Sequence, residues 1–251
     1  MSNMTDIAYE IRTDIGNRTE QQDYAFASKE NGIVFAVLCD GMGGHKGGAI
    51  ASKTAVEEFS KRMKKINTEN IPGYLIETIE DINSIVYNLR DDRKHRLNAG
   101  TTMVSVLIKG NNLYWVSAGD SRLYIIRSGC IKQITKDHNL FLTLDQLYKD
   151  NKITDDEYYA KSQKGNALIS YLGIPNIELL DANIQPFALL PGDQILLATD
   201  GLYKTLDEEK IMSCFSTDIK SFADKLLQNV MDSVAENKDN TTYILLKILE
   251  R

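Results

Sequence analysis

The residues best placed to do chemistry follow an apolar run at positions 33–39, with the sequence IVFAVLC. This run predicts a strand that is buried on both faces. Asp40 comes directly after it, and five glycines stand within positions 41–48. Glycine lets the backbone approach a ligand closely, so a carboxylate beside bare backbone suits a hard cation that takes carboxylate and carbonyl oxygens. The alternative is a glycine-rich turn in which Asp40 caps the next helix.

Two further aspartates stand beside apolar runs. Asp200 follows the run at 194–199, and Asp239 comes shortly before the run at 242–248. Carboxylates at strand ends can meet at one edge of a pair of sheets, where they would repel one another and raise their own pKa values unless a cation held them. Oxygen ligands alone favour Mg²⁺ or Mn²⁺. Zinc is not expected, because the three histidines stand far from one another and from any pair of cysteines.

The elements that must position these aspartates can be predicted from the spacing of apolar residues. Strands that follow one another without a helix predict an antiparallel meander. The polar stretch 138–166 predicts two short helices in a flap-like insertion over the surface, and no repeat or linker divides residues 1–251, so we expect a single domain. The predicted elements are a short strand within 5–27, a strand at 33–39, helices at 49–66 and 72–90, strands at 101–109, 113–118 and 122–127, helices at 141–149 and 155–162, a strand at 194–199, a helix at 222–235 and a strand at 242–248.

The composition limits the classes of function. The chain has 251 residues, of which 43% are hydrophobic and 25% charged, which is typical of a soluble globular protein. No apolar stretch is long enough to span a bilayer and the N-terminus lacks a signal-peptide core, so we expect a cytoplasmic protein without membrane attachment. The net charge of −6 argues against nucleic-acid binding. The three cysteines are isolated, which fits a reducing compartment.

Eight short motifs in a fixed order carry a resemblance to a known family. Taken together, they resemble the metal-dependent protein phosphatases (PPM, protein phosphatase 2C-like) in their compact bacterial form. DG or GDSR alone would mean little, but eight motifs in the order of the family are specific. The motifs are GxR at 16–18 with QD at 22–23, DGMGGH at 40–45, GTT at 100–102, GDSR at 119–122, DH at 137–138, NALISYLG at 166–173, PGDQILLATDGL at 191–202 and DNTT at 239–242.

The resemblance implies a fold and a reaction. The fold is an α/β/β/α sandwich of the α+β class, with two stacked antiparallel sheets flanked by helices. The reaction is the hydrolysis of phosphoserine and phosphothreonine by a metal-activated water at a binuclear Mn²⁺ or Mg²⁺ centre. The resemblance makes Asp40 the ligand that bridges both ions and gives one of them the carbonyl of Gly41. Asp200 and Asp239 hold the other ion.

Two more residues take roles by resemblance. Arg18 matches the phosphate-binding arginine, and its planar guanidinium suits a bidentate grip on a phosphoryl group. Asp23 would orient a metal-bound water. Met42 stands where the animal-type enzymes have a histidine proposed as general acid. His45 lies in the following loop, where a catalytic and a structural role are both open.

One departure from the family pattern concerns a third, weaker ion. The resemblance would place this ion at Asp120, but Lys204 stands where many relatives carry an acidic residue. An ammonium group cannot coordinate a cation, which argues against the third ion. We expect instead an ion pair between Lys204 and Asp120, the alternative being a Lys204 that points into solvent.

The expected partners are phosphorylated proteins, with a serine/threonine kinase of the same cell as one candidate by analogy, and we expect a monomer. Two other functions stay open from the sequence. One is a phosphatase-like module that binds phosphoproteins without turnover, which the loss of a metal aspartate would favour; none is lost. The other is a small-molecule phosphohydrolase. The segment 138–166 should shape the choice of substrate.

Overall fold

Two antiparallel sheets stack against each other in the computed structural model, which describes residues 6–44, 46–234 and 237–249. Their strands, in chain order, are β1 (Ile7–Asp14), β2 (Asp23–Glu30), β3 (Ile33–Gly43), β4 (Ala99–Thr101), β5 (Met103–Lys109), β6 (Asn112–Ala118), β7 (Arg122–Arg127), β8 (Cys130–Gln133), β9 (Asp181–Ala182), β10 (Phe187–Ala188), β11 (Gln194–Ala198) and β12 (Thr241–Ile248). The first sheet has the order β1-β12-β11-β7-β8. The second has the order β10-β6-β5-β3-β2, and in it β4 also pairs with β3 and β9 with β6.

Helices cover the outer face of each sheet. The helices of the described chain are α1 (Gly47–Met63), α2 (Ile71–Tyr87), α3 (Leu140–Lys149), α4 (Asp155–Ser162), α5 (Asp200–Tyr203), α6 (Glu208–Ser213) and α7 (Ile219–Asp232), of which α3 and α4 pack on each other. Phe59 of α1 and Ile79 of α2 pack in one apolar cluster with Phe35 of the second sheet. Phe222 of α7 packs in another with Tyr243 of the first sheet. The layers therefore run helix, sheet, sheet, helix, and the predicted α/β/β/α sandwich is confirmed.

The strand β3 is buried on both faces, as its uninterrupted apolar sequence predicts. Val34 and Leu38 face the other sheet and share an apolar cluster with Leu197 and Ile244. The alternate residues, such as Phe35, face the helices α1 and α2. Because successive side chains of a strand point to opposite faces, this one segment belongs to two apolar layers at once.

Side-chain caps set the starts of several helices. Thr154 and Glu157 form the predicted capping box of α4. In α7 the Oδ2 atom of Asp218 accepts a hydrogen bond from the backbone N of Ser221 at 2.8 Å, so the helix begins at Ile219, before the predicted position 222. The predicted end of that helix at 235 lies outside the described residues.

Three local differences from the sequence-based expectation bear on the site. The strand β3 does not end at Asp40 but continues to Gly43, because Gly41 pairs with Thr101 of β4. Asp200 does not merely end a strand; it begins the short helix α5. The strands β2, β8, β9 and β10 and the helices α5 and α6 are not among the predicted elements.

Across the three described ranges, no helix is both long and apolar enough to cross a membrane.

Candidate metal centre

Asp23 and Asp40 face each other on neighbouring strands. They are direct partners in the antiparallel pairing of β2 with β3. Asp23 is only 4% exposed, and its Oδ2 atom accepts a hydrogen bond from Thr199 Oγ1 at 2.9 Å. Its Oδ1 atom is also buried and has no hydrogen-bond partner among the described residues. Burial raises the pKa of Asp23 to about 7; bonds from threonine hydroxyls offset part of this effect, and the nearby negative charges of Asp200 and Asp239 add to it.

Two threonines fix the backbone of Asp40. The backbone N of Thr102 and the Oγ1 atom of Thr101 both donate to the carbonyl oxygen of Asp40 at 2.8 Å. The backbone N of Asp40 donates in turn to Thr102 Oγ1 at 3.0 Å. Thr102 Oγ1 also lies 2.7 Å from Ser121 Oγ, which ties the GTT motif to the GDSR turn. Thr101, Thr102 and Ser121 belong to the GTT and GDSR motifs, but the motifs alone do not show that their hydroxyl groups hold the backbone of Asp40.

The absence of a side chain at Gly201 brings Asp200 close to the segment that carries Asp239. A Cβ atom at position 201 would lie 2.1 Å from the carbonyl oxygen of Asn240, so only glycine allows this approach. Asn240 in turn accepts a hydrogen bond from the backbone N of Gln22 at its Oδ1 atom, at 2.7 Å. Asn240 therefore links the Asp239 segment to the strand that carries Asp23, a role that sequence reasoning missed.

Arg18 forms an ion pair with Asp239. The turn before it contains Gly16 with φ +62°, where a Cβ atom would lie 2.4 Å from the carbonyl oxygen of Asp239. Arg18 Nη2 is 2.6 Å from Asp239 Oδ2, and both side chains are largely exposed, at 58% and 42%. The family resemblance predicts that Arg18 grips a phosphoryl group; the ion pair with Asp239 is not part of that prediction.

Lys204 pairs with Asp200. Its Nζ atom is 2.6 Å from Asp200 Oδ2, one helical turn away. No ion pair joins Lys204 to Asp120 in the described part of the chain, so the expected partner was wrong, and so was the alternative of a lysine that points freely into solvent. Burial lowers the pKa of Lys204, but the hydrogen bond and charge of Asp200 and the charges of Asp120 and Asp40 outweigh it and leave the pKa raised.

Asp120 is buried beside this pair. It is 7% exposed, and its carbonyl oxygen accepts a hydrogen bond from the Tyr203 hydroxyl at 3.1 Å. Burial raises the pKa of Asp120 to about 6, with Asp200 adding to the effect and Lys204 opposing it. The ring of Tyr203 also stacks on the guanidinium of Arg122 at 3.6 Å, which holds the GDSR turn against α5.

The electrostatics of these carboxylates fit a divalent cation. Asp40 keeps some accessible surface but lies deep among protein atoms; this burial raises its pKa well above the usual range, and the four aspartates at 23, 200, 120 and 239 add to it. A bound divalent cation would offset the electrostatic repulsion among these carboxylates. Within the described residues no three of these side chains converge on one ion position as they stand. Two of them are held by Lys204 and Arg18 instead, so these cations compete with a metal for the same oxygens.

A cavity of about 870 Å³ opens beside the aspartates. His45, left open as a catalytic or a structural residue, lies outside the described residues. His138 is not in the cavity; its Nδ1 atom accepts a hydrogen bond from the backbone N of Gly119 at 3.2 Å, and burial lowers its pKa. Residues that line the cavity include Arg18, Glu20, Gln22, Lys46, Ile50, Leu97, Asp239 and Asn240.

Comparison with known proteins identifies the family. Residues 13–143 match the family model Protein phosphatase 2C. Protein phosphatase PhpP of Streptococcus pneumoniae is 31% identical over 246 residues, which cover 96% of this chain and 97% of that protein. The structure of the serine/threonine phosphatase Stp1 from Staphylococcus aureus superposes with a TM-score of 0.82 at 29% identity, covering 100% of this chain and 98% of that one. The catalytic domain of the serine threonine protein phosphatase PstP in complex with 2 manganese ions gives a TM-score of 0.77 at 25% identity, over 97% of this chain and 99% of that one. The chain belongs to the protein phosphatase 2C family.

Proposed function

We propose that this chain is a metal-dependent serine/threonine protein phosphatase that works with two Mn²⁺ or Mg²⁺ ions. The observation that supports this most is the electrostatic coupling of Asp40 with Asp23, Asp200 and Asp239 at one end of the sandwich. None of the relatives described above is named as a binding module without turnover or as a small-molecule phosphohydrolase, and no feature of the site favours either alternative.

In this proposal the chain supplies the ligands. Bound ions would provide an activated water and positive charge that offsets the charge of the phosphoryl oxygens. Asp40 and the carbonyl of Gly41 would hold one ion, and Asp40, Asp200 and Asp239 the other. Asp23 has one bonded and one unpartnered carboxylate oxygen, so it can accept a hydrogen bond from the attacking water and orient it.

Arg18 would hold the phosphoryl group at the mouth of the site. Only its Nη2 atom bonds to Asp239, so the other N–H groups of the guanidinium can still donate to a phosphoryl oxygen. The side chain lines the cavity and is 58% exposed, which makes it accessible to a substrate. A planar donor fork of this kind fits a phosphoryl group through two parallel bonds.

We propose two ions and no third ion at Asp120. The ammonium group of Lys204 already lies beside the carboxylates and opposes the pKa rise of Asp120. Asp120 then acts as a structural residue of the GDSR turn, held by Tyr203.

The setting of the enzyme follows from the same reasoning. The substrates are phosphorylated proteins, and a cognate serine/threonine kinase is one candidate among them. We propose a monomer, with residues 1–251 as one catalytic domain and 138–166 as its flap. A cytoplasmic location is supported by Cys39 and Cys214, which are buried free thiols.

Turnover of p-nitrophenyl phosphate and of a phosphothreonine peptide, measured against Mn²⁺ concentration, tests the proposal. EDTA should abolish activity and Mn²⁺ should restore it. Asp40→Asn, Asp200→Asn and Asp239→Asn should each lower kcat about a thousandfold, or about 4 kcal/mol in the barrier. Glu77→Gln, an exposed carboxylate on α2, is the matched control and should leave kcat unchanged. Full activity in EDTA would overturn the proposal, and turnover of p-nitrophenyl phosphate but of no phosphopeptide would favour a small-molecule phosphohydrolase.

A further inference from the structure

A short, strongly charged hairpin follows α2. Arg90 and Arg96 pair as an antiparallel bridge, and below them the backbone N of Leu97 donates to the carbonyl oxygen of Leu89 at 2.8 Å. Lys94 stands at the tip with φ +64°. Residues 90–96 read RDDRKHR, with four cationic and two anionic side chains, in a protein whose net charge is −6. We call this segment the basic hairpin.

One of its two carboxylates, that of Asp91, stabilises the turn by hydrogen bonds to the backbone. Asp91 Oδ1 accepts hydrogen bonds from the backbone N of Arg93 at 2.9 Å and of His95 at 2.8 Å. Asp91 Oδ2 lies 3.6 Å from His95 Nδ1. This carboxylate holds the turn in shape and, among the described residues, forms no ion pair with an arginine or a lysine. Four cations against two anions leave the segment with a net charge of +2, counting histidine as neutral.

The arginines of the basic hairpin differ from the other arginines of the described chain. Five arginines elsewhere each have a carboxylate partner within 4.0 Å: Arg12, Arg18, Arg62, Arg122 and Arg127. Within the described ranges, Arg90, Arg93 and Arg96 have none, and neither has Lys94. All four side chains are exposed. Arg96 is held in place without losing its charge, because it stacks on the ring of Tyr87 at 4.3 Å.

The basic hairpin borders the cavity of the candidate active site. Asp91 of the hairpin and Leu97, the residue that follows it, line the cavity together with Arg18 and Asp239. Lys46 lines it as well and has no ion-pair partner in the described part of the chain. The basic hairpin therefore adjoins the place where a phosphorylated residue would be held. Its arginines and Lys94 do not line the cavity itself, so they would meet the residues that flank the phosphorylated one in a polypeptide.

We propose that the basic hairpin binds the segment that flanks the phosphorylated residue in a protein substrate, and that it selects segments rich in aspartate, glutamate or further phosphorylated residues. The proposal rests on the phosphatase function proposed above. Exposed charges attract over about 8 Å at physiological ionic strength, so the preference should weaken as salt is added. A nucleic acid is a poorer fit, because a long polyanion would extend beyond the hairpin over a protein whose net charge is −6.

Three phosphothreonine peptides test the hairpin: one flanked by aspartates on both sides, one by serines and one by lysines. We expect the wild-type kcat/KM to be highest for the aspartate peptide. Arg93→Gln combined with Lys94→Asn removes two charges while leaving the stacked Arg96 in place, and asparagine tolerates the positive φ at position 94. This variant should lower kcat/KM for the aspartate peptide about fivefold and leave p-nitrophenyl phosphate and the serine peptide unchanged.

The matched control is Lys220→Gln with Lys225→Gln on α7. It changes the net charge by the same amount on exposed side chains that do not line the cavity, and it should leave all three peptides unaffected. An equal loss of activity in the control and in the hairpin variant would overturn the proposal, since only the overall charge would then matter. Equal kcat/KM of the wild type for the aspartate and serine peptides would overturn it too.

Fluorescence anisotropy of the labelled aspartate peptide separates this proposal from the proposed function. Peptide binding that weakens about fivefold in the hairpin variant supports the docking surface, even if no turnover of any phosphate ester is found and the phosphatase function fails. Normal turnover without dependence on the hairpin overturns the docking surface alone. Binding of a labelled single-stranded oligonucleotide that is tighter than that of the peptide, with the same dependence on the hairpin, would also overturn it.

Discussion

The ion pair between Lys204 and Asp200 should weaken metal binding. Both a divalent ion and the ammonium group need the Asp200 carboxylate, and the Nζ atom is 2.6 Å from Oδ2. Lys204→Gln removes the charge while keeping a long polar side chain that is compatible with the helix α5. Since the ion no longer has to displace a cation or bind beside one, we expect Lys204→Gln to bind Mn²⁺ more tightly than the wild type.

The size of the effect follows from the exposure of the pair. The side chains of Lys204 and Asp200 are 48% and 17% exposed, so the pair lies near the upper end of the range for exposed pairs, about 1 kcal/mol. This free energy corresponds to a dissociation constant for Mn²⁺ that is about fivefold lower. Loss of this ion pair should also lower the Tm of the metal-free protein by about 3 °C.

Isothermal titration calorimetry with Mn²⁺ measures the effect without depending on turnover. Lys204→Arg, which keeps the charge, should bind Mn²⁺ like the wild type. Lys210→Gln is a matched control, because it breaks an exposed pair with Asp207 at 3.7 Å away from the site. An unchanged or weaker Mn²⁺ affinity of Lys204→Gln would show that Lys204 does not compete for the carboxylate.

Three further predictions concern the site and its frame. Arg18→Ala should raise KM for phosphopeptides about tenfold, and Arg18→Lys should restore only part of this because a point charge lacks the donor fork; unaltered inhibition by inorganic phosphate would contradict the assignment. Gly201→Ala should lower the Tm by several degrees, because its Cβ would lie 2.1 Å from the carbonyl oxygen of Asn240; a Tm equal to that of the wild type would contradict the close approach. Arg127→Met should lower the free energy of unfolding in urea by about 2 kcal/mol, because it leaves Asp193, which is 2% exposed, without its guanidinium partner. A loss as small as that of an exposed pair would contradict it.

The long elements could be predicted because their patterns are local. The apolar run at 33–39 predicts a strand, and the capping box at Thr154 predicts the start of α4 as observed. The continuation of β3 to Gly43 could not be predicted in this way, because glycines and a methionine indicate a loop and only the pairing with β4 makes them a strand. The motifs also predicted that Asp40, Asp200 and Asp239 lie near one another, and the charges of Asp200 and Asp239 do act on Asp40 in the fold.

The two ion pairs of the site were not predicted from the sequence, each for a different reason. Arg18 and Asp239 are 221 positions apart, and no local pattern links them. Asp200 and Lys204 stand four positions apart, a spacing that brings side chains together on a helix. That signal is present in the sequence, but it is informative only if Asp200 is recognised as the start of α5 and not as the end of a strand.

The double burial of β3 has a consequence for how the molecule opens. Amide hydrogens at 34–38 can exchange with solvent only when the layers on both sides of the strand separate, so we expect them to exchange through global unfolding and to be the slowest of the chain. Asp40 is attached to this slow-opening unit, whereas Arg18 and Asp239 stand on exposed turns at 58% and 42% accessibility. The half of the site that would bind the phosphoryl group can therefore open and close many times while the half that carries Asp40 keeps its position.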